Sequence, residues 1–422
     1  MMHMASDSLN WQCRYKDITH QGQEFLQIAI YITTKSRQSR SHLYLCCMLT
    51  TDEYIRYSRH IAIPSFGKEG QLCLKQAKVL VVGAGGLGAP LLLYLAAAGI
   101  GKIGIVEADT VDISNLQRQV LFDVNDISQS KVQTAKSKLA ALNPEINIEV
   151  HESYLTIDNA EEIISQYDIV ADGTDNFPTR YLVNDACVLL DKVNVYGSVY
   201  RFEGQVSVFN LPDGEGGRGP NYRDLFPEPP PADSVPNCAE GGVLGVLPGI
   251  IGSMQALEVI KIASGVGEPL SGKLFLFDAL SFTHRVVKYS KNKETSITEL
   301  INYDQFCGIT SIQDMSEIKE ITVTELKEWK DSGKDFQLID CREQYEFDFC
   351  NLEGELIPLG DILQQSEKIN KDKDVVIHCR SGQRSATAIM QLQQNMGFTK
   401  LHNLKGGILA WSAEVDPSVP TY

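Results

Sequence analysis

The stretch KVLVVGAGGLGAPLLLYLAAAGI, residues 78–100, decides the fold. Its first five residues form an aliphatic run of strand length. Gly83, Gly85 and Gly88 follow in G-x-G-x-x-G spacing, with Gly86 as an additional glycine, and an apolar helical segment begins directly behind them. Glycines let such a turn tighten and let the backbone approach a phosphate. The helix start behind them presents free N–H groups and the positive end of its dipole.

Working outward, KIGIVEADTVD supplies a second strand ending at Glu107, where a carboxylate can bind ribose hydroxyls. A helix over 131–142, the strand INIEVHE and the strand DIVADGT follow in alternation, which predicts a parallel sheet with helices on both faces. The segments VNVYGSVYRFEGQVSVF and GKLFLFDALSFTHRVVKY read as antiparallel strands added to one edge. Between them LPDGEGGRGPNYRDLFPEPPPADSVPNCAEGG is rich in Pro and Gly and reads as a long surface loop over the site.

Residues 291–319 are polar and weakly patterned, as a linker is. A fresh α/β pattern then runs through FQLIDCRE, DVVIHCRSGQRS and KLHNLKGG, a domain of about 100 residues. The expected organisation is an extension over 1–47, a first domain over 48–290, a linker over 291–319 and a second domain over 320–422. Residues 1–47 lack the layout of a signal peptide and read as a disordered tail or a mis-assigned start. Met48 is read as the natural beginning, with Thr51 or Asp52 capping the helix after it.

The composition, 43% hydrophobic and 22% charged, is that of an ordinary globular protein. A net charge of −16 argues against nucleic acid and against an anionic membrane surface as main partners. Ten cysteines without a compact disulfide framework read as reduced thiols, so a reducing, cytoplasmic setting is expected. No apolar stretch is expected to reach the roughly 18 residues of a membrane span.

The glycine turn alone leaves NAD and ATP equally open. Its surroundings decide between them: Arg56-Tyr57-Ser58-Arg59, Asn115 to Arg118 after Glu107, Lys131, and Thr174-Asp175-Asn176 after a strand. From about Asp52 to Ser290 this set resembles the MoeB/ThiF family, relatives of ubiquitin-activating enzymes with a Rossmann-like mixed sheet. The resemblance implies that Gly83, Gly85, Gly86, Gly88 and Glu107 surround the nucleotide, with Glu107 where many relatives have Asp. It further implies that Asn115, Arg118 and Lys131 meet the phosphates, that Asp175 holds Mg²⁺ with Asn176 beside it, and that Arg59 reaches a neighbouring subunit's site in a homodimer. The residue types suit the chemistry. A carboxylate attacking the α-phosphorus of ATP meets two anions, so cations must neutralise the developing charge. A C-terminal carboxylate is already ionised at pH 7 and needs no general base.

Cys238, in VPNCAEGG, stands where relatives can form a covalent link to a carrier protein. A small buried loop residue is the equally weighted alternative. Many relatives hold a structural zinc through two CxxC pairs. Here those positions read Asn221-Tyr-Arg-Asp224 and Asp304-Gln-Phe-Cys307, and no zinc is expected.

Cys379 follows the apolar strand DVVIH and opens the loop Cys379-Arg380-Ser381-Gly382-Gln383-Arg384, with Ser385 starting a helix. Such a loop turns backbone N–H groups toward the sulfur and stabilises a thiolate or persulfide. Cysteine phosphatases place one residue more between Cys and Arg, so the tighter loop favours sulfur. Together with Asp340-x-Arg342-Glu343-x-x-Glu346 and the Lys405-Gly-Gly run ending at Trp411, it resembles the rhodanese family from about Ile321 onward. Cys341 and Cys350 read as packing or surface residues, and His378 as a strand-end residue.

The two resemblances together match fused MoeB–rhodanese adenylyltransferase/sulfurtransferases of molybdopterin biosynthesis. They imply ATP and Mg²⁺ as cofactors, a small ubiquitin-like sulfur carrier ending in Gly-Gly as partner, and a cysteine desulfurase or thiosulfate as sulfur source. The same activation of a thiamine- or cysteine-pathway carrier, or an NAD-dependent oxidoreductase fused to a sulfurtransferase, are the alternatives.

Overall fold

The computed structural model describes residues 48–230, 242–292, 294–307 and 318–421. The extension over 1–47 and Cys238 lie outside the described residues. The chain separates into two compact units, divided at Leu300 and Ile301 apart from a short stretch after Pro227.

The first unit opens with α1 (Thr51–Arg56) and α2 (Ser58–Ile61). Thr50 caps α1, in place of Thr51 or Asp52. Its hydroxyl accepts from the Glu53 N–H at 3.1 Å while the Glu53 carboxylate accepts from the Thr50 N–H at 2.7 Å. Only the residue three before Glu53 can close that reciprocal box. Then come α3 (Gly67–Gln76), β1 (Lys78–Val82), α4 (Gly88–Ala98), β2 (Lys102–Val106), α5 (Lys131–Leu142), β3 (Asn147–His151), α6 (Ile157–Ser165), β4 (Ile169–Asp172), α7 (Phe177–Leu189), β5 (Val193–Tyr200), β6 (Glu203–Phe209), α8 (Tyr222–Leu225), α9 (Val246–Ser264), β7 (Lys273–Asp278) and β8 (Thr283–Lys288).

The sheet order is β3-β2-β1-β4-β5-β6-β7-β8. The first five strands are parallel, so β5 extends the parallel sheet. The antiparallel part begins at the β5–β6 pair, one strand later than the sequence pattern predicts. β1 has β2 on one side and β4 on the other, with Val79 in register with both Ile103 and Ile169. The chain thus leaves β1 first one way and then the other. A crevice opens at such a switch point, beyond the carboxyl ends of the strands.

The apolar runs of β1 and β2 and the helices α4, α5 and α9 share one core built around Val79, Leu91, Leu95, Ile103 and Val259. Helix α9, Val246–Ser264, is long and apolar enough to cross a membrane by length and composition, contrary to the expectation from the sequence. In the fold it lies on α4 and along β5 and β6.

The second unit contains α10 (Tyr303–Phe306), β9 (Glu320–Ile321), α11 (Val323–Asp331), β10 (Phe336–Asp340), α12 (Gln344–Phe349), β11 (Glu355–Leu356), β12 (Asp374–His378), α13 (Gln383–Met396), β13 (Leu401–Leu404) and α14 (Gly407–Glu414). Its five strands run parallel in the order β11-β10-β12-β13-β9. Along the central β12, Val375 and Ile377 enter one core while Val376 enters the other, the period of two of a strand covered on both faces.

Candidate functional sites

The crevice above β1 and β4 is a cleft of about 270 Å³ whose walls include Gly83, Gly85, Gly86, Glu107, Asn115, Arg118, Lys131, Asp175 and Asn176. Two of the glycines are fixed by geometry. Gly83 sits at φ +92°, a region that costs a side-chain-bearing residue. A Cβ on Gly88 would lie 2.0 Å from the Gly83 carbonyl oxygen, so only glycine lets α4 begin this close to the strand.

Glu107 pins the turn. One carboxylate oxygen accepts from the Ala84 N–H at 3.0 Å, and the other from the Ala108 and Asp109 N–H groups, each at 2.9 Å. Lys131 is buried, yet its ammonium lies 3.2 Å from Asp109. The other Asp109 oxygen accepts from the Tyr154 hydroxyl at 2.6 Å. Burial pushes the Asp109 carboxyl up, but Tyr154 and Lys131 outweigh it and hold the group below its ordinary range.

Asn115 accepts from the Asp112 N–H at 3.3 Å, and Arg118 donates to the Ser114 carbonyl at 3.1 Å. Asn176 caps α7 by accepting from the Thr179 N–H at 3.0 Å, whereas Asp175 is exposed on the cleft wall. Arg59 is exposed on α2 and does not line this cleft of its own chain.

Three further residues complete the site. Arg180 on α7 is buried, donates to the Thr174 carbonyl at 3.1 Å and packs against the Phe177 and Tyr196 rings. Asp172 ends β4 fully buried. One oxygen accepts from both the Thr174 N–H and hydroxyl, and the other has no hydrogen-bond partner among the described residues. Burial pushes its carboxyl up against the pull of Arg180. Gln119 presents a buried side-chain oxygen that is likewise without a hydrogen-bond partner there.

In the second unit Cys379 follows β12 and is 1% exposed. The Gly382 N–H donates to its sulfur at 3.1 Å, and the Ser385 hydroxyl lies 3.5 Å away. Gly382 takes φ +97° to start α13, and its amide thereby faces the sulfur. The first turn of α14 holds the loop from outside, with the Ile408 N–H on the Cys379 carbonyl at 2.9 Å and the Leu409 N–H on that of Arg380 at 3.1 Å. A Cβ on Gly407 would meet the Cys379 carbonyl oxygen at 2.4 Å, which explains the glycine that opens α14.

Cys341 follows β10 beside this loop and is buried in the same core as Cys379, in keeping with its reading as a packing residue. The hydrogen bond from Cys341, reinforced by Ser385 and Arg384, holds the Cys379 thiol well below its ordinary pKa despite burial. Burial pushes Cys341 well up. The negative charge of the pair is thus favoured on Cys379, toward which the Gly382 N–H points.

Arg384 grips the Glu346 carboxylate at both oxygens, and Arg342 pairs with Asp340 entirely inside the domain. Arg342 also donates to the Cys350 carbonyl at 2.7 Å, so Cys350 belongs to this buried framework. His378 is fully buried with both ring nitrogens lacking a hydrogen-bond partner among the described residues, and burial keeps it neutral. Arg380 is half-buried, while Ser381 and Gln383 are exposed on the rim.

The family model described as the ThiF family matches residues 57–298. The chain belongs to the ThiF family. The rhodanese-like domain model matches residues 322–414, behind the ThiF domain. A Mycobacterium tuberculosis protein named "Probable adenylyltransferase/sulfurtransferase MoeZ" is 48% identical over 381 residues, which cover 89% of this chain and 96% of that protein. The "Adenylyltransferase and sulfurtransferase MOCS3" of Sus scrofa is 41% identical over 408 residues, 89% of each. Among solved structures, E. coli MccB superposes with a TM-score of 0.52 at 20% identity, covering 64% of this chain and 81% of its own, a likeness of fold alone.

Within the ThiF domain, the positions where many relatives carry the first zinc pair are occupied by a hydrogen-bonded turn. Asn221 accepts from the Arg223 N–H at 2.9 Å, and the Asp224 carboxylate accepts from the Asn221 N–H at 2.7 Å. Arg223 in turn forms a two-pronged ion pair with the buried Asp185.

Proposed function

We propose that the ThiF domain uses ATP to adenylate the C-terminal glycine of a small ubiquitin-like sulfur carrier, and that the rhodanese domain delivers sulfur to it as a persulfide from Cys379. The carrier serving molybdopterin synthesis is the substrate we favour. The observation that carries this reading is the pairing, in one chain, of the β1–β4 cleft with a Cys379 sulfur cradled by the Gly382 amide. The names of the two relatives, which span most of this chain, support both activities.

The adenylation step follows from the cleft. The carrier carboxylate attacks the α-phosphorus of ATP, giving the acyl-adenylate and pyrophosphate. Arg118 and Lys131 line the cleft and would meet the phosphates, and Asp109 already orients Lys131. Glu107, Asp109 and Asp175 equal Arg118, Lys131 and Arg180 in number around the cleft, so its own charges leave no surplus of cations for a polyphosphate. ATP entering there needs a further cation, and exposed Asp175 offers the hard oxygen that Mg²⁺ prefers. Mg²⁺ held there would supply charge neutralisation as pyrophosphate leaves.

The adenylate then meets the persulfide. Its outer sulfur attacks the acyl carbon, and AMP departs. The amide of Gly382 and the start of α13 lower the cost of carrying that anion inside the domain.

A homodimer fits the exposure of Arg59. It also fits an apolar groove beside Arg118, where Val120, Val246 and Leu257 are exposed. We propose the cytoplasm as its compartment, on its six described cysteines standing outside any disulfide.

The test is carrier-dependent exchange between pyrophosphate and ATP. It should proceed with the wild-type protein and a Gly-Gly-ending carrier and vanish in Asp175→Ala. Tight NAD binding with no exchange for any carrier would overturn the reading.

A further inference from the structure

Sulfur delivery as proposed above leaves two electrons to be found. When the Cys379 persulfide displaces AMP, the product is an acyl disulfide, Cys379–S–S–C(=O)–carrier. Freeing the thiocarboxylate requires that S–S bond to break reductively, and AMP release supplies no electrons.

We infer that Cys341 is the resolving thiol of this site. Its sulfur attacks the Cys379 sulfur of the acyl disulfide, a Cys341–Cys379 disulfide forms, and the carrier thiocarboxylate is expelled. The Cys341 proton passes to solvent. The two protein thiols thereby lose the two electrons that the sulfur leaving with the carrier gains. A cellular dithiol then reduces the disulfide and resets the enzyme.

The placement is specific. Asp340 and His378 are register partners at the ends of parallel β10 and β12, and Cys341 and Cys379 are the residues that directly follow them. The Cys341 N–H donates to the His378 carbonyl at 2.9 Å, which fixes the backbones side by side. Both side chains enter the same core, and both are 1% exposed. Neither Cys187, in the other unit, nor Cys350, held at Arg342, is so placed.

The environments of the two thiols differ in the sense required. Gly382 and Ser385 turn donors toward Cys379, whereas burial keeps Cys341 protonated while Cys379 is an anion. Once Cys379 is bound in the acyl disulfide its negative charge is gone, and Cys341 no longer faces an anion. A thiocarboxylate is a better leaving group than an alkyl thiolate, which directs attack to the Cys379 sulfur. Burial shields the intermediate from outside thiols, which makes an internal one the effective reductant.

This inference rests on the sulfur-transfer reading, and one experiment separates the two. The full-length protein is loaded from thiosulfate, given a Gly-Gly-ending ubiquitin-like carrier with ATP and Mg²⁺, and held without reductant. It is then acid-quenched, alkylated and mapped by non-reducing peptide mass spectrometry. The wild type should yield one thiocarboxylate per linked Cys341–Cys379 peptide and stop until dithiothreitol is added. Cys341→Ser, and Cys341→Val with its apolar packing, should load persulfide normally but retain the acyl disulfide, with release slowed at least about tenfold. Release at the wild-type rate from both variants, or no Cys341–Cys379 linkage in the wild type, would overturn the role of Cys341. No persulfide on wild-type Cys379 would overturn the sulfur-transfer reading itself, and this role with it.

Discussion

Arg384 holds Glu346 through both carboxylate oxygens, at 2.7 and 2.8 Å, and Glu346 in turn accepts from the Glu343 N–H at 2.9 Å. The arginine of the Cys379 loop is thus clamped by the acidic run that follows β10. Arg384 supports the Cys379 thiolate from a fixed position. Glu346→Gln keeps the size but removes the charge-assisted fork, at a cost of about 2 kcal/mol. The expected result is a lower melting temperature together with slower persulfide loading, read by calorimetry and by sulfide release from thiosulfate. An unchanged loading rate would mean that the clamp is purely structural.

The cradle around Cys379 predicts an unusual pH profile. A thiol held well below its ordinary pKa is a thiolate above that lowered value and is lost only as pH falls through it. The rate of alkylation at Cys379 should therefore stay flat through the neutral range, where a free cysteine of pKa about 8.5 loses most of its reactivity. Ser385→Ala removes one donor and should move the midpoint upward. A wild-type midpoint at the free-cysteine value would contradict the assignment.

Lys131 and Asp109 should respond differently to mutation. Lys131→Ala removes a buried cation from the cleft wall and should slow carrier-dependent pyrophosphate exchange about a hundredfold. Asp109→Asn keeps the Lys131 charge and loses only its tether, so a rise in KM for ATP with a smaller loss of kcat is expected. Equal effects of the two changes would place Asp109 among the groups that act on the phosphates directly.

The proposed homodimer makes a prediction by complementation. Arg59→Ala and Asp175→Ala should each abolish exchange when assayed alone. If Arg59 serves the neighbouring site, mixing them one to one leaves one intact site in each mixed dimer and restores about a quarter of wild-type activity. No recovery after subunit exchange would place Arg59 outside the active site.

Much of this was legible from residues alone because the signals are local. The aliphatic run, the glycines and the helix after them are contiguous, and α5 spans residues 131–142 as its pattern predicts. What was missed depends on contacts distant in sequence or on strand pairing. The parallel pairing of β5 follows from its place beside β4, and nothing within VNVYGSVY distinguishes that from an antiparallel edge. The buried Arg180 resembles any helix arginine until Thr174, Phe177 and Tyr196 are packed around it. Cys341 acquires significance only through the β10–β12 register, which sets it beside a cysteine 38 residues along the chain.

The most direct test of the account is the mass of the carrier's C-terminus. The enzyme is incubated with ATP, Mg²⁺, thiosulfate, dithiothreitol and a Gly-Gly-ending carrier, and the carrier is then analysed intact. The wild-type protein should replace one carboxylate oxygen by sulfur. Asp175→Ala should leave the carrier unmodified, and Cys379→Ser should allow pyrophosphate exchange without any thiocarboxylate. Thiocarboxylate made at the wild-type level by Cys379→Ser would contradict the claim that the two domains form one pathway through this sulfur.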